Sequence, residues 1–138
     1  MTTVRFASIL FSLLLLMIGQ VQADTTPNPR EKLQTAIPEG IRLLETKEYI
    51  TFLKNFMNPC DLEQFIKEEN SLEEGAKMFA EEKAQRLLEI FKEIQDVKPK
   101  FENNGNKAIF QLKDNDEGIH TIIFVRFERY WYILDKPE

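Results

Sequence analysis

The 138-residue chain contains few of the residue types on which most reactive sites depend. It has one cysteine, one histidine and only five glycines. A single cysteine, Cys60, excludes a disulfide within the chain, so stability must come from a packed core. His120 and Cys60 lie too far apart in sequence to suggest a zinc site, and the glycines form no phosphate-binding loop. We therefore predict no metal, no cofactor and no catalytic residue.

Two local patterns resemble functional sites, but a purely structural interpretation fits each of them better. Cys60 lies at a predicted helix start, which would lower the pKa of a thiol, but no partner base is evident and a half-buried turn residue is the simpler reading. The acidic segment Asp114–Gly118 resembles the start of a calcium loop. It lacks the required glycine at position 6 and glutamate at position 12, and an acidic hairpin turn fits it better.

Positive charge is scarce as well. The chain has 18 lysines and arginines against 23 acidic residues, a net charge of −5. Removal of residues 1–23 takes away Arg5 and leaves 17 against 23, a net charge of −6. Nucleic acids and anionic membrane surfaces both require a clustered positive field. We predict neither as a partner.

Long apolar runs are limited to the N-terminus, where Ile9–Ile18 follows a short basic segment. A membrane-spanning helix needs roughly 20 apolar residues, and this run is about half that length. Small residues at Val21 and Ala23 match the pattern that signal peptidase reads. We predict cleavage between Ala23 and Asp24, export to the periplasm or beyond the cell, and no stable membrane anchor afterwards. A retained anchor is the alternative.

The remaining chain divides into two parts. Residues 24–36 are predicted to be a flexible leader because Asp24–Arg30 has two prolines and no apolar residue. Residues 37–138 are predicted to be a single domain, which suits a chain of this length.

The first two-thirds of that domain has helical periodicity. We expect Pro38 to lie in the first turn of one helix and Asn58-Pro59 to end the next. Ser71 and Glu74 form a capping-box pattern that begins a long helix to about Gln95, with Gly75 able to separate its first turn. The apolar positions of the three later helices are Tyr49, Phe52, Leu53 and Phe56; Leu62, Phe65 and Ile66; and Leu72, Ala76, Phe79, Ala80, Ala84, Leu87, Leu88, Phe91 and Ile94.

Beyond Val97 the β-type pattern takes over. Strands are predicted at 100–102, 107–112, 119–128 and 131–134, and the turn after the first contains an Asn-Gly pair. Helices followed by a separate meander indicate an α+β fold, in which N-terminal helices pack on one face of a C-terminal antiparallel β-meander of about four strands.

The C-terminal pattern Ile123-Phe124-Val125-Arg126-Phe127, followed by Trp131-Tyr132-Ile133, resembles the last hairpin of the nuclear-transport-factor-two-like superfamily, a cystatin-like α+β cone. The mature chain is also similar to small exported bacterial proteins. The tight turn departs from the pattern, because Glu128 and its neighbours occupy a place that is often glycine-rich. The resemblance implies the fold only, because this superfamily includes enzymes, binding modules and dimerisation domains.

The long third strand carries apolar residues on both faces. The odd-numbered residues from 119 to 127 form a predicted core face, which leaves His120, Ile122, Phe124 and Arg126 on an outer face. An apolar patch with charged ends on an outer sheet face indicates that another molecule or segment covers it. We predict a homodimer interface or ligand patch at these four residues, with burial by sheet curvature or by the leader as the open alternative.

These observations together favour an exported, small, non-catalytic binding or interaction module, whose ligand is an unknown small molecule or protein. The alternative function is a small cone-shaped hydrolase or isomerase acting on a small apolar substrate. That activity would require a carboxylate inside an apolar pocket.

Overall fold

A computed structural model of the chain describes residues 26–113, 118 and 120–134. In these residues, helices precede an antiparallel sheet with strand order β1-β2-β3-β4, so the predicted α+β class is confirmed. The helices are α1 (Leu33–Glu45), α2 (Tyr49–Phe56), α3 (Pro59–Glu69), α4 (Leu72–Glu82) and α5 (Ala84–Ile94), preceded by a 3-10 turn, Pro29–Glu31. The strands are β1 (Lys100–Glu102), β2 (Lys107–Gln111), β3 (Thr121–Phe127) and β4 (Tyr130–Ile133).

Some predictions fall outside the described residues. These are the signal peptide 1–23, its cleavage between Ala23 and Asp24, and most of the acidic turn at 114–118. Among the described helices, none combines the length and apolar character that a membrane crossing requires.

The first helix begins earlier than predicted, because α1 begins at Leu33 and not near Pro38. Leu33 and Ala36 are buried and continue the apolar stripe that later includes Leu43. Pro38 therefore lies inside the helix, where a proline removes one backbone hydrogen bond at a cost of about 3 kcal/mol. Burial of the first helical turn offsets this cost. That burial depends on tertiary contacts, so the local sequence could not predict it.

The predicted long helix from Ser71 to Gln95 is divided at Lys83, not at Gly75. Ser71 does cap α4, since its hydroxyl accepts a hydrogen bond from the Glu74 amide at 3.1 Å. Lys83 has φ −126° and ψ −30°, and α5 resumes at Ala84. No glycine or proline marks the break. It lets α4 pack against α2 and α3 while α5 packs against α1.

The predicted faces of β3 are reversed in the structure. Phe124 is fully buried and Ile122 nearly so, whereas Phe127, a predicted core residue, is 55% exposed. The buried pair lies beside Ala108 and Phe110 of β2, and Phe91 of α5 packs on Phe124 with ring centroids 5.7 Å apart. Ile122 and Phe124 are therefore core residues, and the predicted outer patch containing them is wrong.

The actual outer face of the sheet includes Ile109, Ile123, Val125 and Phe127. Its β4 side is covered in part by the leader, because the Arg30 guanidinium lies 4.3 Å from the Tyr130 ring centroid and 5.3 Å from that of Tyr132. Arg30 Nε also donates to the carbonyl of Asn55 at 3.0 Å. The leader thus covers one side of this face, as one open alternative anticipated, while Phe127 stays exposed.

Candidate ligand cleft

A cleft with a volume of about 780 Å³ opens among the helices, on the opposite side of β4 from β3. Helices α2 and α4 form its floor, α3 and α5 contribute its walls, and the end of β4 closes one part. The lining comprises Phe52, Leu53, Phe56, Met57, Asp61, Gln64, Phe65, Glu68, Met78, Phe79, Glu82, Lys83, Arg86, Leu87, Ile90, Ile133 and Leu134. Pockets that hold small ligands typically measure about 300–1,000 Å³ and are mostly apolar.

The floor of the cleft is a stack of phenylalanine rings. Phe52 stacks on Phe56 with centroids 4.8 Å apart and on Phe79 with centroids 5.6 Å apart. Phe91 meets both Phe52 and Phe56 edge-on from the core side. Offset and edge-to-face contacts of this kind stabilise aromatic clusters. These rings are at most 5% exposed, so they belong to the hydrophobic core and support the cleft from below.

The α3 wall is built differently, because no residue of α3 is buried. Its Phe65 is half-buried and lies so close to Gly75 of α4 that a Cβ at that glycine would overlap the ring. Asn58 caps the helix by accepting a hydrogen bond from the Cys60 amide at 3.0 Å. Asn70 ends it in the left-handed conformation, with φ 70°. The wall is thus capped at both ends, and between them Leu62 and Phe65 pack against the core without being fully buried.

The rim carries charges of both signs. Its acidic residues are Asp61, Glu68 and Glu82, and its basic residues are Lys83 and Arg86. The last two are placed at the rim by the helix break at Lys83. Arg86 contacts Glu89, which is outside the lining, with an N–O distance of 3.4 Å.

The residues that the sequence singled out lie elsewhere. His120 and Arg126 are exposed at the two ends of the row that contains Ile122 and Phe124, and none of the four lines the cleft. Cys60 is exposed on the first turn of α3 and is also outside the lining. The structure therefore places the predicted patch residues in one row, but that row faces the helices.

Sequence reasoning missed the cleft because it forms between four helices and the end of β4, which come together only through tertiary packing. The helical periodicity predicts Phe65 and Leu87 as apolar helix positions, but it does not bring them to one cleft. The short apolar stripe of α3 was the one local signal, since a helix with few apolar residues can be only partly covered.

The ionisable side chains of the described lining are Asp61, Glu68, Glu82, Lys83 and Arg86. The same lining contains no histidine, cysteine, serine or threonine. In residues 26–113, 118 and 120–134, no three or more histidine, cysteine, aspartate or glutamate side chains are grouped so that they could hold a metal ion. What the arrangement can do is exclude water from an apolar molecule and present charged groups at its edge.

No protein-family model, no curated protein and no solved structure matches this chain. The resemblance to the nuclear-transport-factor-two-like superfamily therefore stays an expectation, and function has to be argued from the site itself.

Proposed function

We propose that the mature protein is an exported, non-catalytic binding module and that the cleft is its ligand site. The observation that carries this proposal is a partly open cleft whose accessible apolar side chains, Met57, Phe65, Met78 and Leu87, lie over the buried rings of Phe52, Phe56 and Phe79. Apolar surface in such a space gains free energy when a ligand displaces water, at about 25 cal/mol per Å² buried. The two methionines of the lining, Met57 and Met78, adapt readily to different apolar shapes.

Titration with Nile red, an uncharged apolar dye, tests this proposal. We expect a rise in fluorescence that saturates at one dye per chain. Met78→Glu should abolish the rise because it places a carboxylate among apolar lining atoms. Val97→Glu is the matched control, since Val97 is 40% exposed and lies outside the lining. Equal loss in both variants, or no binding by the natural protein, would refute the cleft as the site.

Export has a separate test. Material recovered from the periplasm or medium should begin at Asp24 when its N-terminus is sequenced. An intact Met1 in the membrane fraction would indicate the retained anchor instead.

The homodimer is a second proposal, now carried by different residues. Phe127 is 55% exposed beside half-buried Val125 on the outer sheet face, next to the part that Arg30 covers. We expect light scattering to detect a weak dimer that Phe127→Glu dissociates without loss of folding. A monomer at high concentration would exclude this interface.

A further inference from the structure

The rim of the cleft carries charged side chains of both signs. Within the described residues, the side chains of Asp61 and Glu82 make no ion pair or hydrogen bond, and Glu68 accepts one from the neutral amide of Gln64 at 2.9 Å. On the basic side, Arg86 is already in contact with Glu89. The described lining therefore holds three carboxylates, one lysine and one arginine, an excess of one negative charge.

Glu82 is also unfavourably placed for its own helix. It lies in the last turn of α4, which has no basic residue. The C-terminal end of a helix carries a partial negative charge, so a carboxylate there costs roughly 0.3–1 kcal/mol. Residues that conflict with local stability are concentrated at functional sites. Asp61, by contrast, lies in the first turn of α3, where a negative charge is favourable.

We propose that the ligand is a cationic amphiphile, and this inference rests on the proposed function of the cleft. Its apolar body lies against the accessible side chains of Phe65, Met78 and Leu87. Its positively charged head group lies at the rim, near Glu82 and Asp61. The net charge of −5 on the whole chain adds a long-range attraction of the same sign. An anionic head group would meet a net negative charge at the rim, where the three carboxylates outnumber Lys83 and Arg86. The volume of about 780 Å³ suits a small molecule better than a whole partner helix.

Three probes with the same decyl chain isolate the effect of the head group. They are decyltrimethylammonium, decyl maltoside and decyl sulfate, each titrated calorimetrically below its critical micelle concentration, with circular dichroism to verify that the chain stays folded. At low ionic strength we expect the cation to bind about tenfold more tightly than the anion, with the neutral probe between them. Added salt should reduce the difference.

Variants locate the preference at the rim. Glu82→Gln and Asp61→Asn should each reduce the preference for the cation and leave decyl maltoside binding unchanged. Glu81→Gln is the matched control, because Glu81 lies in the same helical turn but outside the lining. An equal effect of Glu81→Gln would indicate a general field of the protein and overturn the rim assignment.

The outcomes separate the two proposals. If all three probes bind equally, or decyl sulfate binds most tightly, the cationic ligand is refuted while the apolar cleft stands. If none of the probes binds, and Nile red does not bind either, both proposals fail.

Discussion

The floor and the α3 wall of the cleft are both short helices with aromatic residues, yet they are held in opposite ways. Helix α2 has three buried side chains, Phe52, Leu53 and Phe56, in only eight residues. Helix α3 has eleven residues and none buried. The two helices are neighbours in sequence, separated by Met57 and Asn58, so the difference does not come from chain connectivity.

A buried α2 beside a partly exposed α3 shows how a small domain can combine stability with an adaptable site. Segments with few buried apolar contacts open locally at a lower free energy than the core does. We therefore expect α3 to move when a ligand enters, while α2 keeps the floor in place. The following experiments test that difference, in order of decreasing effect.

Truncation of the aromatic side chains should give the largest difference. Phe56→Ala removes a fully buried ring and should reduce the free energy of unfolding by about 3–5 kcal/mol. Phe65→Ala on α3 should cost roughly half as much, because that ring is only half-buried. Urea denaturation measures both changes. Equal losses would show that α3 is as firmly packed as α2.

Two glycines give a second comparison. A Cβ at Gly40 of α1 would overlap Phe91, which is fully buried and cannot move aside. Gly40→Ala should therefore cost about 1–3 kcal/mol by overpacking. At Gly75 the overlapping ring is Phe65, which can turn toward the cleft, and the alanine improves helix propensity by about 1 kcal/mol. We expect Gly75→Ala to be nearly neutral in thermal denaturation. A loss as large as that of Gly40→Ala would contradict a movable wall.

Removal of the α3 cap should have a smaller and local effect. Asn58→Ala loses the hydrogen bond from the Cys60 amide and should cost about 1 kcal/mol. Hydrogen exchange should accelerate within α3 and remain unchanged in α2. Acceleration in both helices would mean that they unfold as one unit.

The start of α2 should show the smallest effect, through its dependence on pH. A hydrogen bond from Thr46 and then the charge of Arg42 hold the pKa of Glu48 below its usual value of about 4.5. The lowered pKa means that this contribution to stability is present at neutral pH and is lost as the pH falls below 4.5 through the folded-state pKa.

Melting curves of the natural protein and Glu48→Gln should therefore differ slightly at pH 7 and converge toward pH 3. The control is Glu73→Gln, since the Glu73 side chain makes no ion pair or hydrogen bond in the part of the chain that the structure describes. The difference in melting temperature between Glu73→Gln and the natural protein should stay the same from pH 7 to pH 3. A constant difference for Glu48→Gln would contradict the proposed role of Arg42 and Thr46.

Much of the local structure could be predicted because its signals are local. The Ser71 cap needs only its own side chain and the amide three residues later, and Asn58-Pro59 marks a boundary through backbone geometry. The first strand was predicted at the observed residues, and the following turn has positive φ at Asn103, Asn104 and Gly105, which suits asparagine and glycine.

The sequence by itself determined which segments are helices and which are strands, and hence the α+β class. Only the tertiary structure decided which side of β3 faces the helices. Both sides of that strand are apolar, with Ile122 and Phe124 on one and Ile123 and Val125 on the other, so alternation could not distinguish them. Ile122 and Phe124 face the helices because they lie beside Phe110 and Ala108 of β2 and because Phe124 packs against Phe91. The break at Lys83 and the cleft have the same origin, because they depend on contacts between distant segments that no local pattern records.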